Sequence, residues 1–264
     1  MEAMEGLFPD SDILFLVQTA MPGRDDHERV VALIHNDPDF VDALLNDERV
    51  LERLTADDQA PVRVTPRLFF TALLMKARKD LQAGSYTVEH RQHQKVAIFD
   101  AQQAAQLLAD RAVRNYLAEM LASFTRVRSV SRRTQVRKGV WQRQQFSDLD
   151  IDSLIRYGNA VGKERRFDIY KRIADVCLFL AGMFPEYVEA QARYPFSRFG
   201  RSLEDYEREG RAFYGLAAGH QRAQDPQLTA ALATLAENFT LAEKPLTFVS
   251  DRYLHLKKHT LFDL

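Results

Sequence analysis

Thr65-Pro-Arg-Leu-Phe-Phe-Thr-Ala-Leu-Leu-Met-Lys-Ala-Arg-Lys-Asp-Leu-Gln-Ala-Gly84 is the stretch on which the fold turns. A threonine followed by proline is a helix start, because proline at the first helical position loses no hydrogen bond and the hydroxyl satisfies an orphan amide. Leu68, Phe69, Leu73, Met75 and Ala77 make the segment apolar over most of its circumference, Lys76, Arg78 and Lys79 mark its end, and Gly84 stops it. A helix apolar nearly all round belongs in a core, so the spacing predicts a central helix from Pro66 to about Gln82 with other helices packed on it.

Outward from this segment the same punctuation recurs. Asp37-Pro38 and Asp225-Pro226 repeat the cap-and-proline device, and Ser202-Leu-Glu-Asp205 reads as a capping box. Asp100 is expected to open one long helix through about Phe124, with Ala104, Leu107, Leu108, Val113, Leu117, Met120 and Leu121 along its stripe. Ser147-Asp148 is expected to open another, Arg165 to Phe184 to be a second buried helix ended by Pro185, and Pro245 to begin one of the last two. Gly (11) and Pro (9) are scarce for 264 residues, which favours long helices over many short strands. The exception is Ser85 to Arg91 with Gln94 to Phe99: β-branched and aromatic residues around a polar Gln92-His93 break predict a small hairpin that must lean on helices. The expected fold is mainly α, a multi-helix globular bundle with a small β-hairpin or ribbon.

Charge is spread unevenly along this frame. Met1 to Ala60 carries 15 acids against 4 bases, Pro61 to Leu180 carries 22 bases against 11 acids, and Ala181 to Leu264 is balanced, so a formal net charge of -1 hides an acidic front and a basic middle. The Pro-flanked stretch from Gln59 to Pro66 reads as a connector. The expected organisation is an acidic helical segment 1–60, a possible cap on a main helical domain 61–264.

The basic middle concentrates between Met120 and Ser147, which holds no acid and seven bases: Arg126, Arg128, Arg132, Arg133, Arg137, Lys138 and Arg143. Interleaved Val127, Val130, Val136, Val140 and Trp141, with Ser and Thr between, lower helix propensity and predict an extended ribbon over 126–143. Guanidiniums match the oxygens of phosphate and carboxylate bidentately, and Trp141 can stack on a base or shield the site's edge. The binding residues are therefore expected to be those seven and Trp141. Three accounts of the ribbon stand side by side: pairing with acids, in a partner or in the chain's own front; nucleic acid or another phosphate polyanion; and a solvated loop.

Other candidates are weaker. Asp148, Asp150 and Asp152 alternate just past the ribbon and suit a divalent cation beside bound phosphate, as in a metal-dependent phosphoesterase; acids in a first helical turn more commonly favour the helix dipole. Asp251, His255 and His259 are expected on one face of the last helix, spread too far for one ion. Glu89, His90 and His93 read as a polar turn. Asn159 to Gly162 reads as a turn before the basic helix face of Arg165 and Arg172. Phe179, Phe184, Tyr187, Tyr194, Phe196, Phe199, Tyr206, Phe213 and Tyr214 crowd one region, read first as a core corner and otherwise as a partner surface.

Signatures of known enzyme classes, among them H-E-x-x-H, G-x-x-x-x-G-K-[ST] and G-x-S-x-G, are absent. No catalytic residue, metal or cofactor is assigned, and the leaning is towards no enzyme. The lone Cys177 sits in an apolar run and forms no internal disulfide, the longest apolar runs fall short of a membrane span, and the acidic first residues do not read as a secretory signal. The expectation is a cytoplasmic interaction or regulatory protein that engages an acidic protein surface through the ribbon, or else nucleic acid.

Overall fold

The computed structural model describes residues 8–34, 37–56, 63–91, 94–125, 129–137, 140–147, 149–192, 201–255 and 257–262, with the backbone alone at 90–91, 129–137, 140–147 and 192. In chain order the helices of the front are α1 (Asp10–Ala20), α2 (His27–Ile34), α3 (Pro38–Leu45) and α4 (Glu48–Ala56). They are followed by α5 (Pro66–Ala83), the strands β1 (Thr87–Arg91) and β2 (Gln94–Ile98), α6 (Ala101–Leu107) and α7 (Arg111–Phe124). Next come β3 (Ser129–Arg137), β4 (Val140–Ser147), α8 (Ile151–Ala160), a short 3-10 turn at Lys163–Arg165, α9 (Arg166–Met183) and α10 (Pro185–Ala192). The chain closes with α11 (Leu203–Ala218), α12 (Pro226–Glu237), α13 (Phe239–Arg252) and α14 (Lys258–Phe262). Each hairpin, β1–β2 and β3–β4, is a separate two-stranded antiparallel sheet, so the protein is a mainly α bundle with small β additions.

Local chemistry sets the helix starts. Thr65 Oγ1 accepts from the Leu68 amide at 3.3 Å, Asp37 from Asp39 and Phe40, and Asp225 from Gln227. The Ser202–Asp205 capping box is complete in both directions. α5 and α9 form the interior; from Phe167 to Met183 almost every turn of α9 is buried, against α11, α13 and α8. The buried apolar side chains from α1 to α14 make one continuous cluster, with a small satellite of Leu81, Ala101, Ala104 and Ala105.

Stacked rings mark its centre. Phe124 lies on Phe179 at 4.0 Å between centroids, and Phe262 of α14 reaches in to Phe70 at 5.6 Å and Phe179 at 4.9 Å. α9 and α13 approach so closely at Gly182 that a Cβ there would sit 2.7 Å from Leu246 Cβ, an approach only glycine permits. Thr247 and Ser250 of α13 donate to the Gly182 and Met183 carbonyls across the same contact.

The acidic front is tied to the rest by polar contacts, buried at Asp12 and Arg114 and exposed at Asp39. Asp12, 1 % exposed, accepts from the Thr65 amide at 2.9 Å and from its hydroxyl; burial raises its pKa, and these two bonds work against the rise. Asp42 takes both Arg111 and the buried Arg114 of α7 at 2.9 Å, and Asp39 takes Arg111 at 2.6 Å.

Three expected boundaries are corrected. Residues 101–124 are two helices: the Asp100 carboxylate accepts from Thr87 and Lys244 and does not cap α6, while Asp110 accepts from Ala112 at 2.8 Å and starts α7 afresh. The helix expected at Ser147-Asp148 begins at Ile151, because Asp150 is its cap. Pro245 lies inside α13, where it withholds the amide that the Leu241 carbonyl would otherwise accept.

Candidate functional site

The ribbon residues singled out in the sequence fall in two groups. Arg126, Arg128 and Lys138 lie outside the described residues. Arg132, Arg133, Arg137, Trp141 and Arg143 are on β3 and β4, so the acid-free segment does form an antiparallel ribbon. Its register pairs Arg132 with Gln144, Arg133 with Arg143, Gln135 with Trp141 and Arg137 with Val140, and slips by one residue between Gln135 and Arg137. The ribbon's backbone lies chiefly beside α8, the helix it leads into.

Past the ribbon, Asp148 lies outside the described residues, Asp150 caps α8 and takes the Ser153 hydroxyl, and Asp152 receives both terminal nitrogens of Arg201 at 2.6 and 3.2 Å. That hydrogen-bonded guanidinium holds the Asp152 carboxyl below the usual carboxylate range. The Asp251, His255 and His259 expectation is corrected: Asp251 belongs to α13 and accepts from Lys95 at 2.9 Å, His259 belongs to α14, and His255 lies in the break between them. Among the described residues no group of three metal-ligating side chains gathers. Of the basic helix face, Arg172 donates to Ser123 and lies 4.0 Å over the Phe124 ring, and Lys171 turns inward to Asp175.

The aromatic region divides. Phe179, Phe184 and Tyr214 are core, Tyr206 and Phe213 are partly buried against it, Tyr187 is exposed, and Tyr194, Phe196 and Phe199 lie outside the described residues. Around Tyr214 is a buried polar knot: Asp175, 2 % exposed, accepts from Tyr116 at 2.5 Å, Tyr214 at 2.9 Å and Lys171 at 2.9 Å. Burial, and then the Asp175 charge, push both phenols well above the usual tyrosine range, so they remain donors. A carboxylate with three donors is satisfied, and none of the four residues lines the acidic cavity beside β1–β2, which fits a fixed internal strut.

Sequence reading missed a large concavity. A cavity of about 1030 Å³ lies between β1–β2, the start of α10, the first turns of α11 and the junction of α12 with α13. Its wall carries Glu89 from β1, Glu189 from α10, Glu204 and Glu207 from α11, Glu237 from α12 and Glu243 from α13, together with Asp100 and one cation, Lys244. Lys244, 7 % exposed, donates to Glu89 Oε1 at 2.6 Å and to Asp100 Oδ2. Burial works against this ammonium, but Asp100 and Glu89 more than offset it and hold its pKa above the usual lysine value. Glu243 keeps some solvent contact as a residue, yet its Oε1 is sealed off and has no hydrogen-bond partner. Burial, reinforced by Glu207 and Glu89 and opposed by Arg211 and Lys244, puts its carboxyl well above the usual glutamate range. The sequence signal was thin: Glu189, Glu204, Glu207, Glu237 and Glu243 come from a tail whose formal charge is balanced, and Glu89 and Asp100 from the basic middle.

Comparison with protein-family models, with curated proteins and with solved structures finds no match for this chain. Among the described residues no helix is long and apolar enough to cross a membrane, and the lone Cys177 is buried, with burial pushing its thiol well above the usual range.

Proposed function

We propose that this chain is a non-catalytic interaction or regulatory protein whose basic ribbon, residues 126–143, engages an acidic protein surface. The observation that carries the reading is the register that sets Arg133 directly across from Arg143. Like charges opposite each other destabilise a strand pair, and a two-stranded unit is marginal by itself. A ribbon built this way gains from a bound surface of opposite charge. The nearest internal alternative, the acidic front, has Asp39 and Asp42 committed to Arg111 and Arg114, which favours a partner outside the chain. A cytoplasmic setting goes with this reading, since a reducing compartment suits a lone buried thiol.

The test replaces Arg128, Arg132, Arg133 and Arg137 by alanine and compares co-purified partners with those of the parent chain. Loss of acidic partners supports the reading, and an unchanged set refutes it. A second reading, nucleic acid on the same ribbon, is favoured by Ser131 and Thr134, which flank Arg132 and Arg133 in the sequence of β3 and suit phosphate contacts. Titrating labelled single- and double-stranded nucleic acid at two salt concentrations separates the two, because neutralising phosphates makes affinity fall steeply with salt.

A further inference from the structure

We infer that the outer edge of β2 is a dimerisation edge, where β2 of a second copy pairs antiparallel to build one four-stranded sheet across a two-fold axis. The inference is independent of the ribbon reading. β1 is the strand that lies along α13, with Thr87 buried and Val88 and Glu89 half-buried, whereas Gln94, Lys95, Val96 and Ala97 of β2 are all exposed. Among the described residues no strand pairs with the far side of β2, and an uncovered strand edge is a template for another strand. The usual guards of such an edge are thin here: β2 has no proline, its pairing with β1 is free of bulges, and its one charge, Lys95, is drawn to Asp251 at 2.9 Å.

The surface beside the edge says which strand it takes. Phe99, the residue after β2, is 82 % exposed and meets Tyr86, itself 53 % exposed, edge-on at 6.4 Å; Val96 is exposed as well. An incoming strand must therefore offer a branched apolar residue to Val96 and cover an aromatic ring, and β2 carries both groups in the antiparallel order. With the two-fold axis at Ala97, Val96 lies across from Ile98 of the second copy and Lys95 across from its Phe99, and symmetry makes each pair twice. An ammonium on a methylene stem suits an exposed ring, since the stem covers it and the charge is drawn to its face. The same register keeps the two lysines apart, so no like charges face each other. Growth stops at four strands because β1 already lies against α13, which gives a closed dimer and no fibre. The ties of Glu89 to Lys244 and of Lys95 to Asp251 hold the edge in place before a partner arrives.

The experiment is sedimentation equilibrium of the full chain from about 5 µM to about 500 µM, since two short strands make a small interface and a weak one. A reversible monomer–dimer equilibrium is expected. Phe99→Lys sets lysine against Lys95 twice per dimer and is expected to weaken association about thirtyfold. Circular dichroism and a melting curve establish that the variant is folded; should it fail to fold, Val96→Lys is the substitute, with weakening again expected. Adding Lys95→Glu to Phe99→Lys places opposite charges across the axis and should recover most of the loss, which no other partner or register would do. Position 97 reads the pairing directly. Ala97→Cys sits on the axis, where facing strand residues come within disulfide reach, and the chain's own Cys177 is buried, so mild oxidation should link two copies. Leu33→Cys, at a site 75 % exposed on α2, should stay largely unlinked. A chain that is monomeric over the whole range, a folded Phe99→Lys chain that dimerises as the parent does, a double variant no better than Phe99→Lys alone, or equal linking at positions 33 and 97 would each overturn the proposal.

Discussion

The two hairpins make an instructive pair. Both are short antiparallel ribbons of the kind that is marginal alone. β1–β2 leans on α13 and is fastened to the helical body by its side chains: Glu89 to Lys244, Lys95 to Asp251 and, at its first residue, Thr87 to Asp100. β3–β4 lies chiefly beside the helix that follows it and sets arginine against arginine. A ribbon's stability is thus set by what it rests on, and the second is arranged to obtain part of its support from outside.

The largest effect expected from breaking this contrast is at Lys244. Lys244→Met leaves Glu89 and Asp100 facing each other in a largely enclosed site, and loss of one partner of a buried ionic cluster costs about 3 kcal/mol. Urea unfolding should show the loss, and amide exchange should accelerate in β1–β2 while β3–β4 is unchanged. Equal acceleration in both hairpins would mean that they share a support.

Next in size is Gly182→Ala, which forces α13 away from α9 beneath the first hairpin. The collision is with Leu246 Cβ, close to the backbone, so the helices themselves must move, at about 2 kcal/mol. The midpoint of thermal unfolding should drop, and the cavity beside β1 should change shape more than anything near β3.

Glu243→Gln acts in the opposite sense. The folded chain binds the Glu243 proton more tightly than the unfolded chain does, so the residue's favourable contribution is complete below the ordinary glutamate range and is lost as pH rises through its elevated folded value. The glutamine variant should therefore be the more stable protein at neutral pH, by about 1 kcal/mol, with the difference closing on acidification. Chemical denaturation at pH 4 and pH 8 measures both arms; an equal difference at the two values would contradict the assignment.

The smallest expected effect is in the second hairpin. Arg133→Glu converts a like-charge pair with Arg143 into an opposite one, and cross-strand pairs of this kind contribute about 0.5 kcal/mol. Slower amide exchange confined to β3–β4, together with weaker partner binding, is the predicted combination. Slower exchange with undiminished binding would separate the ribbon's stability from its function.

Much of the fold was legible because it is written in local chemistry. Thr65-Pro66, Asp37-Pro38, Asp225-Pro226 and the Ser202 box each fix a helix start within a few residues. The β-branched runs announced both hairpins for the same reason. The errors arose where a remote partner overrides local preference: Asp100 is drawn away from capping by Thr87 and Lys244, and Pro245 is tolerated within a helix packed against α9. The candidate sites divide along the same line. The ribbon is contiguous, so a charge count finds it, whereas the cavity assembles Glu89 with Glu204, Glu207 and Glu243 from distant parts of the chain, and counting along the chain averages such a cluster away.

Phe262 stacks on Phe70 and meets Phe179 edge-on, so the middle of the bundle is filled by a side chain from its last helix. During synthesis, α5 and α9 emerge long before this ring does, and the gap between them stays open until residues 258–262 clear the ribosome. Consolidation of this centre therefore waits on residues far downstream of α5 and α9, and until they emerge the nascent chain exposes the apolar gap to chaperones and proteases.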